Sequence, residues 1–182
     1  MEKTDRFLKS LEKLNIHLNE KQVYQFMKYY EMLIETNKVM NLTAITDFDE
    51  VIDKHFVDSL ALIQAIDLNK ELKVIDVGTG AGFPGIPLKI AVPELDILLL
   101  DSLNKRIHFL DQVISELGLE NIQTIHGRAE DFGKNPLYRE KFDLCVSRAV
   151  ANLSTLSEYC VPFVQVDGYF ISYKSGKVQE EL

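Results

Sequence analysis

Three glycines at positions 78, 80 and 82, set between aspartates at 76 and 101, are the residues of this sequence best suited to chemistry. The run Val74-Ile75-Asp76-Val77 ahead of Gly78-Thr79-Gly80-Ala81-Gly82-Phe83-Pro84-Gly85 is short and β-branched, as a central parallel strand is when it enters a βα turn. Glycine lets such a turn take positive φ and lets a ligand approach the main chain without meeting a Cβ. A nucleotide-like cofactor is the expected occupant. A dinucleotide fingerprint reads G-x-G-x-x-G, but its last position falls on Phe83 here, and the glycines follow G-x-G-x-G instead. Asp76 stands two residues before Gly78, where enzymes that use S-adenosylmethionine (SAM) commonly carry an acid. Asp101 closes the next apolar run, Ile97-Leu98-Leu99-Leu100, where a carboxylate accepts hydrogen bonds from both ribose hydroxyls. Acid, glycine turn and acid together predict one cofactor site. The plainer reading is that Asp76 caps a turn and Asp101 caps the following helix.

The elements that must position these residues follow from hydrophobic periodicity. Phe7, Leu8, Leu11 and Leu14 fall on one helical face. Asn19 is placed to cap a longer helix with the face Val23, Phe26, Met27, Tyr30, Leu33 and Ile34, and Asp49 to cap one carrying Val51, Ile52, His55, Phe56, Leu60 and Ile63. Strands are predicted at 73–77, 96–100, 122–126, 142–147 and 168–173. Helices are predicted near 87–91, at 105–117 and at 153–159, with Gly118 stopping the second as a C′ glycine. Strands alternating with helices imply a doubly wound, mostly parallel α/β sheet of Rossmann-like form, with ligands outside the strand C-termini. Residues 1–69 form an expected helical extension packed on a core of 70–182, since no Gly/Ser or Pro linker separates the two.

The composition bounds the function. A chain of 182 residues, 46% hydrophobic and 26% charged, is one ordinary globular domain with no low-complexity tract. Its apolar runs are too short to span a bilayer and its start resembles no secretion signal, so a cytoplasmic, membrane-free protein is expected, with a monomer favoured. The two cysteines, Cys145 and Cys160, have neither C-x-x-C spacing nor a histidine at ligand spacing. No disulfide or metal site is predicted, and both fit small core residues better than nucleophiles. A net charge of −8 sits awkwardly with a nucleic-acid partner unless Lys134, Arg139, Lys141, Arg148, Lys174 and Lys177 gather near the cofactor edge.

The strand ends bring together Gly78 to Phe83, Asp101, Arg128 to Asp131, Arg148 and Lys174. Ala129-Glu130-Asp131 suits an adenine ring meeting backbone amides and a carboxylate, or equally a helix cap. With Asn41-Leu42-Thr43-Ala44-Ile45, His55-Phe56-Val57-Asp58-Ser59-Leu60, the segment Val74 to Leu88 and Ser147-Arg148-Ala149-Val150-Ala151 in this order, nearly the whole chain resembles the RsmG or GidB family of bacterial ribosomal RNA guanine-N7 methyltransferases. The resemblance implies a SAM-dependent enzyme that methylates guanine N7 in the 530 loop of 16S small-subunit rRNA, acting on the RNA or the ribosomal particle. It also implies cofactor contacts from Gly78, Phe83, Ala129, Glu130 and Arg148, to which the residue reading adds Gly80 and Asp101. Family members continue past Tyr173-Lys174-Ser175-Gly176 with a helix and an antiparallel strand pair, which this sequence does not reach.

The implied chemistry asks little of side chains. Guanine N7 carries a free lone pair and attacks the sulfonium methyl without prior deprotonation, so positioning replaces acid–base catalysis and no catalytic residue is expected beyond Arg148 as an orienter. The Asn/Asp-Pro-Pro-Tyr sequence that serves exocyclic amines is absent, with Ser147-Arg148-Ala149-Val150 in its place. For Arg148 the structural alternative is a salt bridge to Asp143 or Glu158, for His55 and Asp58 a packed hydrogen-bonded pair, and for Phe83 simple packing. Two other functions remain open at this stage. One is a SAM-dependent methyltransferase of small molecules; the other is a nicotinamide-dependent oxidoreductase or a non-catalytic nucleotide-binding module.

Overall fold

The computed structural model describes residues 3–68, 71–148 and 152–173. Its centre is the apolar run before the glycines, strand β1 (Lys73–Val77), flanked by β2 (Asp96–Asp101) and β4 (Phe142–Arg148), with β3 (Ile122–His126) and β5 (Val164–Tyr173) outside them. The order is β3-β2-β1-β4-β5 and every pairing is parallel. The chain winds outward from β1 to β3 and then crosses to the other side of β1. That reversal opens a crevice at the C-terminal ends of β1 and β4, where open α/β sheets bind ligands.

Alternation along the strands builds a core on each face. Val74, Ile97, Leu99, Ile122, Leu144 and Val146 pack under α2 (Glu20–Met40), α6 (Gly85–Ala91) and α7 (Asn104–Leu117). Ile75, Val77, Leu100 and Cys145 face α9 (Leu153–Cys160) with Leu156, Cys160 and Phe163. Both cysteines are buried and unbonded. The first four strands agree with the sequence reading to within one residue. β5 begins at Val164 instead of 168, because the ladder between β4 and β5 carries an irregularity in which Phe142 pairs with Val164 and Leu144 with Tyr169. Asp167, at φ 66°, and Gly168 lie in that stretch and interrupt its apolar alternation.

The N-terminal helices depart further from simple periodicity. Helix α1 (Lys3–Glu12) stops before Leu14. Asn19 caps α2 as expected, in a capping box with Gln22, but the buried face is Gln25, Phe26, Tyr29 and Leu33. Val23, Met27, Tyr30 and Ile34 of the expected face are only partly buried, and Gln25 and Tyr29 are buried in addition, each reaching a backbone carbonyl, of Leu117 and Ala81 respectively. The next cap is Asp47, whose side chain accepts from the Glu50 amide. Asp49 lies inside the first turn and pairs with Arg6. This helix is composite: α3 (Phe48–Val51), a π segment (Ile52–Val57), α4 (Asp58–Leu60) and α5 (Leu62–Ala65). Phe7, Phe26, Phe56, Tyr29 and Phe83 stack with ring centroids between 4.9 and 6.1 Å apart, joining α1, α2 and the π segment to the glycine turn. Among the described residues no helix is long and apolar enough to cross a membrane.

Candidate functional site

The glycine turn after β1 is held from three sides. Gly78, Gly80 and Gly82 have φ of 69°, 62° and 106°, the left-handed values for which their lack of a Cβ is needed. Asp76 is fully buried; its Oδ2 accepts from the Thr79 hydroxyl and the Gly85 amide, each at 2.8 Å. A Cβ on Gly85 would stand 2.4 Å from Leu99 Cδ2 and 2.8 Å from that same Oδ2. From the helical side, Tyr29 donates to the Ala81 carbonyl at 2.5 Å. Asp76 thus clamps the turn from inside and lines neither neighbouring cavity, which corrects its expected place as one of two acids in the site. Burial pushes its carboxyl up to about 7, restrained by the Thr79 and Gly85 hydrogen bonds, while Oδ1 has no partner.

Two cavities open along the rim and share Gly78, Asp101 and Ser102 on their walls. The first, about 190 Å³, is completed by Val77, Leu100, Gly127, Arg128, Ala129, Glu130 and Tyr159. The second, about 420 Å³, is completed by Thr43, His55, Gly80, Phe83, Arg106 and Arg148 among others. Joined, they match the scale of small-molecule sites, roughly 300–1,000 Å³. Asp101 stands at the junction. Its Oδ2 accepts from the Gly80 amide at 2.8 Å and its Oδ1 from the Leu103 amide at 2.9 Å, with Arg106 3.4 Å away. A carboxylate has about four lone-pair sites, so these bonds leave capacity for a ligand. Ala129 and Glu130 open the short helix α8 (Ala129–Phe132), whose Asp131 and Phe132 amides return to the Arg128 carbonyl.

At the far end of the second cavity, Arg148 closes β4 against the π segment. Its Nη1 donates to the Lys54 carbonyl at 3.0 Å and to Asp58 Oδ2 at 3.3 Å, and its Nη2 to His55 Nδ1 at 3.0 Å. The guanidinium carbon lies 4.9 Å from the centroid of the Phe83 ring. Phe83 stacks on His55, centroids 4.4 Å apart and planes 17° from parallel. Arg148 therefore pairs with Asp58; Asp143, one of the partners expected from sequence, instead takes the Lys73 amide and Gln165. His55 and Asp58 are hydrogen-bonded to Arg148 rather than to each other. Burial first, and the Arg148 charge second, hold the imidazole down to about 4.

All seven sequence-selected binding residues, Gly78, Gly80, Phe83, Asp101, Ala129, Glu130 and Arg148, line these two cavities. The basic residues do not gather there as one group. Lys141 precedes β4 and Arg148 ends it, so they stand at opposite ends of that strand, and Arg139 donates to the Gly133 carbonyl. Lys174 and Lys177 lie outside the described residues. Sequence reasoning missed Thr43, Arg106 and Tyr29. The first lay within a motif that the resemblance had picked out; nothing local marked the other two. Among the described residues no cluster of three or more His, Cys, Asp or Glu could hold a metal ion.

A parallel sheet of this order, with a glycine turn and an acid at the ends of adjacent strands, defines the chain as having the SAM-dependent methyltransferase fold. It is similar in fold to a SAM-dependent methyltransferase from Aquifex aeolicus, with a TM-score of 0.53 and 19% identity over 73% of this chain and 74% of that one. Within that class, the family described as rRNA small subunit methyltransferase G, GidB, matches residues 22–182, and this chain belongs to it. It is 56% identical to the ribosomal RNA small subunit methyltransferase G of Lachnoclostridium phytofermentans over all 182 residues, 75% of that relative's length. It is 53% identical to that of Clostridium novyi over 171 residues, 94% of this chain and 70% of the relative.

Proposed function

We propose that this chain transfers the methyl group of SAM to N7 of a guanine in the 530 loop of 16S small-subunit rRNA. Family membership supports the reaction class, and the observation that carries it onto these residues is the pair of adjacent cavities that share Gly78 and Asp101 on their walls. In this reading the first cavity takes the adenosine. Asp101 receives the ribose hydroxyls, and the free amides at Ala129 and Glu130, first residues of a helix and so without intrahelical acceptors, meet the adenine edge. The second cavity takes the methionine portion against Gly78 and Gly80, with Phe83 and Arg148 at its end. SAM supplies an electrophilic methyl carbon; the chain holds it in line with the guanine lone pair. Alignment of that kind lowers a barrier by up to roughly 7–11 kcal/mol without any group accepting a proton.

The target base is unpaired or splayed from a loop, because A-form RNA hides its major-groove edge, where N7 lies. In this reading the protein acts in the cytoplasm, on the RNA or the small-subunit particle. Incubation with methyl-labelled SAM and undermethylated small-subunit particles should place label in 16S rRNA at a guanine that becomes sensitive to N7-directed strand cleavage. Label confined to small metabolites would favour the small-molecule methyltransferase instead.

A further inference from the structure

Arg148 and His55 are 93 residues apart in sequence and meet at 3.0 Å. A guanidinium is a donor only, so His55 Nδ1 must be the unprotonated, accepting nitrogen, and the ring proton of the neutral imidazole sits on Nε2. That nitrogen faces Thr43 Oγ1 at 2.9 Å, which also accepts from the Ile45 amide at 3.0 Å. Thr43 is itself fixed by Asn37, whose side chain accepts from the Thr43 amide at 2.9 Å and donates to its carbonyl at 3.0 Å. The chain Asn37, Thr43, His55, Arg148 therefore runs unbroken from the end of α2 into the second cavity. Asn41 makes this possible by ending α2 in a left-handed cap with φ 48°, and the π segment brings the Lys54 carbonyl, His55 and Asp58 to one guanidinium. π segments inside helices occur frequently at functional sites.

We propose that His55, fixed by Thr43, is a positioning residue that holds the Arg148 guanidinium in the methyl-transfer cleft. The inference rests on the reading of Arg148 as a cofactor or substrate orienter. Three of the five N–H donors of Arg148 are directed at Lys54, Asp58 and His55, which leaves up to two for a ligand and fixes the plane in which they point. The burial that keeps His55 neutral suits this role, since a protonated ring would present a donor to a donor.

The test uses the whole chain with His55→Phe, His55→Asn, Thr43→Val, Arg148→Ala and the double variant His55→Phe with Arg148→Ala. SAM affinity is measured by calorimetry, and kcat and KM are measured on undermethylated small-subunit particles. Phenylalanine keeps the stack on Phe83 and removes the acceptor; asparagine restores an acceptor near the Nδ1 position. His55→Phe is expected to lower kcat/KM about tenfold, the scale of one hydrogen bond to a charged group. His55→Asn should recover most of that loss, and Thr43→Val should show a smaller loss in kcat/KM together with a lower thermal midpoint, because the Ile45 amide loses its acceptor as well. The double variant should be no worse than Arg148→Ala alone, because the histidine acts through the arginine. Additive losses in the double variant, or full activity in His55→Phe, overturn the proposal. Should His55→Phe not fold, full activity in Thr43→Val together with an inactive His55→Asn overturns it equally. Unchanged SAM affinity and turnover in Arg148→Ala would remove the role assigned to the arginine itself, a result separable from failure of the histidine alone.

Discussion

Asp76 shows how a single buried acid is tied to pH. Its carboxyl is held up to about 7, from an unfolded value of 3.8, mainly by burial. A raised folded value means that the native state binds the proton more tightly than the unfolded chain, so this group's stabilising contribution is full below 3.8 and is lost as pH rises through 7. Asp76→Asn keeps an acceptor for Thr79 and Gly85 and cannot ionise. Relative to the parent, the variant is expected to gain on the order of 3 kcal/mol between pH 4 and pH 7.5, read from urea unfolding at each pH. His55 has the opposite sense: held down to about 4, it costs stability as pH falls from 6.5 toward 4. That slope is common to parent and variant and cancels in their difference, so a pH-independent difference would remove Asp76 as the source. At Gly85 the constraint is steric. Alanine there would place its Cβ within 2.8 Å of both Leu99 and Asp76, and Gly85→Ala is expected to cost about 1–3 kcal/mol in unfolding free energy.

At the scale of elements, the glycine turn is shaped as much by α2 as by its own glycines. The Tyr29 hydroxyl reaches the Ala81 carbonyl, and a Cβ on Gly82 would sit 2.7 Å from that hydroxyl oxygen. Tyr29→Phe leaves a buried carbonyl without its donor, a loss of roughly 1–3 kcal/mol. It is expected to weaken SAM binding measurably, whereas Tyr30→Phe, whose hydroxyl makes an exposed contact 3.4 Å long to Thr46, should leave affinity unchanged. Equal affinities for the two variants, measured by calorimetry, would uncouple α2 from the turn. The turn itself was legible because its φ demands are local and only glycine meets them cheaply; so were the cap at Asn19 and the stop at Gly118. The composite helix was not. A π segment shifts the side chains past it relative to a 3.6-residue repeat, and an apolar count that assumes the repeat sees one ordinary amphipathic helix.

For the molecule as a whole, what could be read from sequence was the periodic part: five strands, their helices and the rim they define. What could not be read was which distant residues meet at that rim. Arg148 finds Lys54, His55 and Asp58 across 90 or more residues, and no spacing rule links them; Asp143, nearer in sequence, lies at the other end of β4 and takes Lys73 and Gln165. The same holds for charge. The net value of −8 is a property of composition, but among the described residues the cations on the two cavity walls are Arg106, Arg128 and Arg148, of which Arg106 and Arg148 already face Asp101 and Asp58. A site with so few cations on its walls neutralises few phosphates when it binds RNA. Each phosphate neutralised contributes about 0.7–0.9 to the magnitude of the slope of log affinity against log salt. The slope for this chain on an undermethylated 16S fragment is therefore expected to be no steeper than about −3. Fluorescence anisotropy across a salt series measures it directly. A slope near −8 would mean that many more cations reach the RNA than these walls supply, and that the RNA-binding face extends well beyond the cleft.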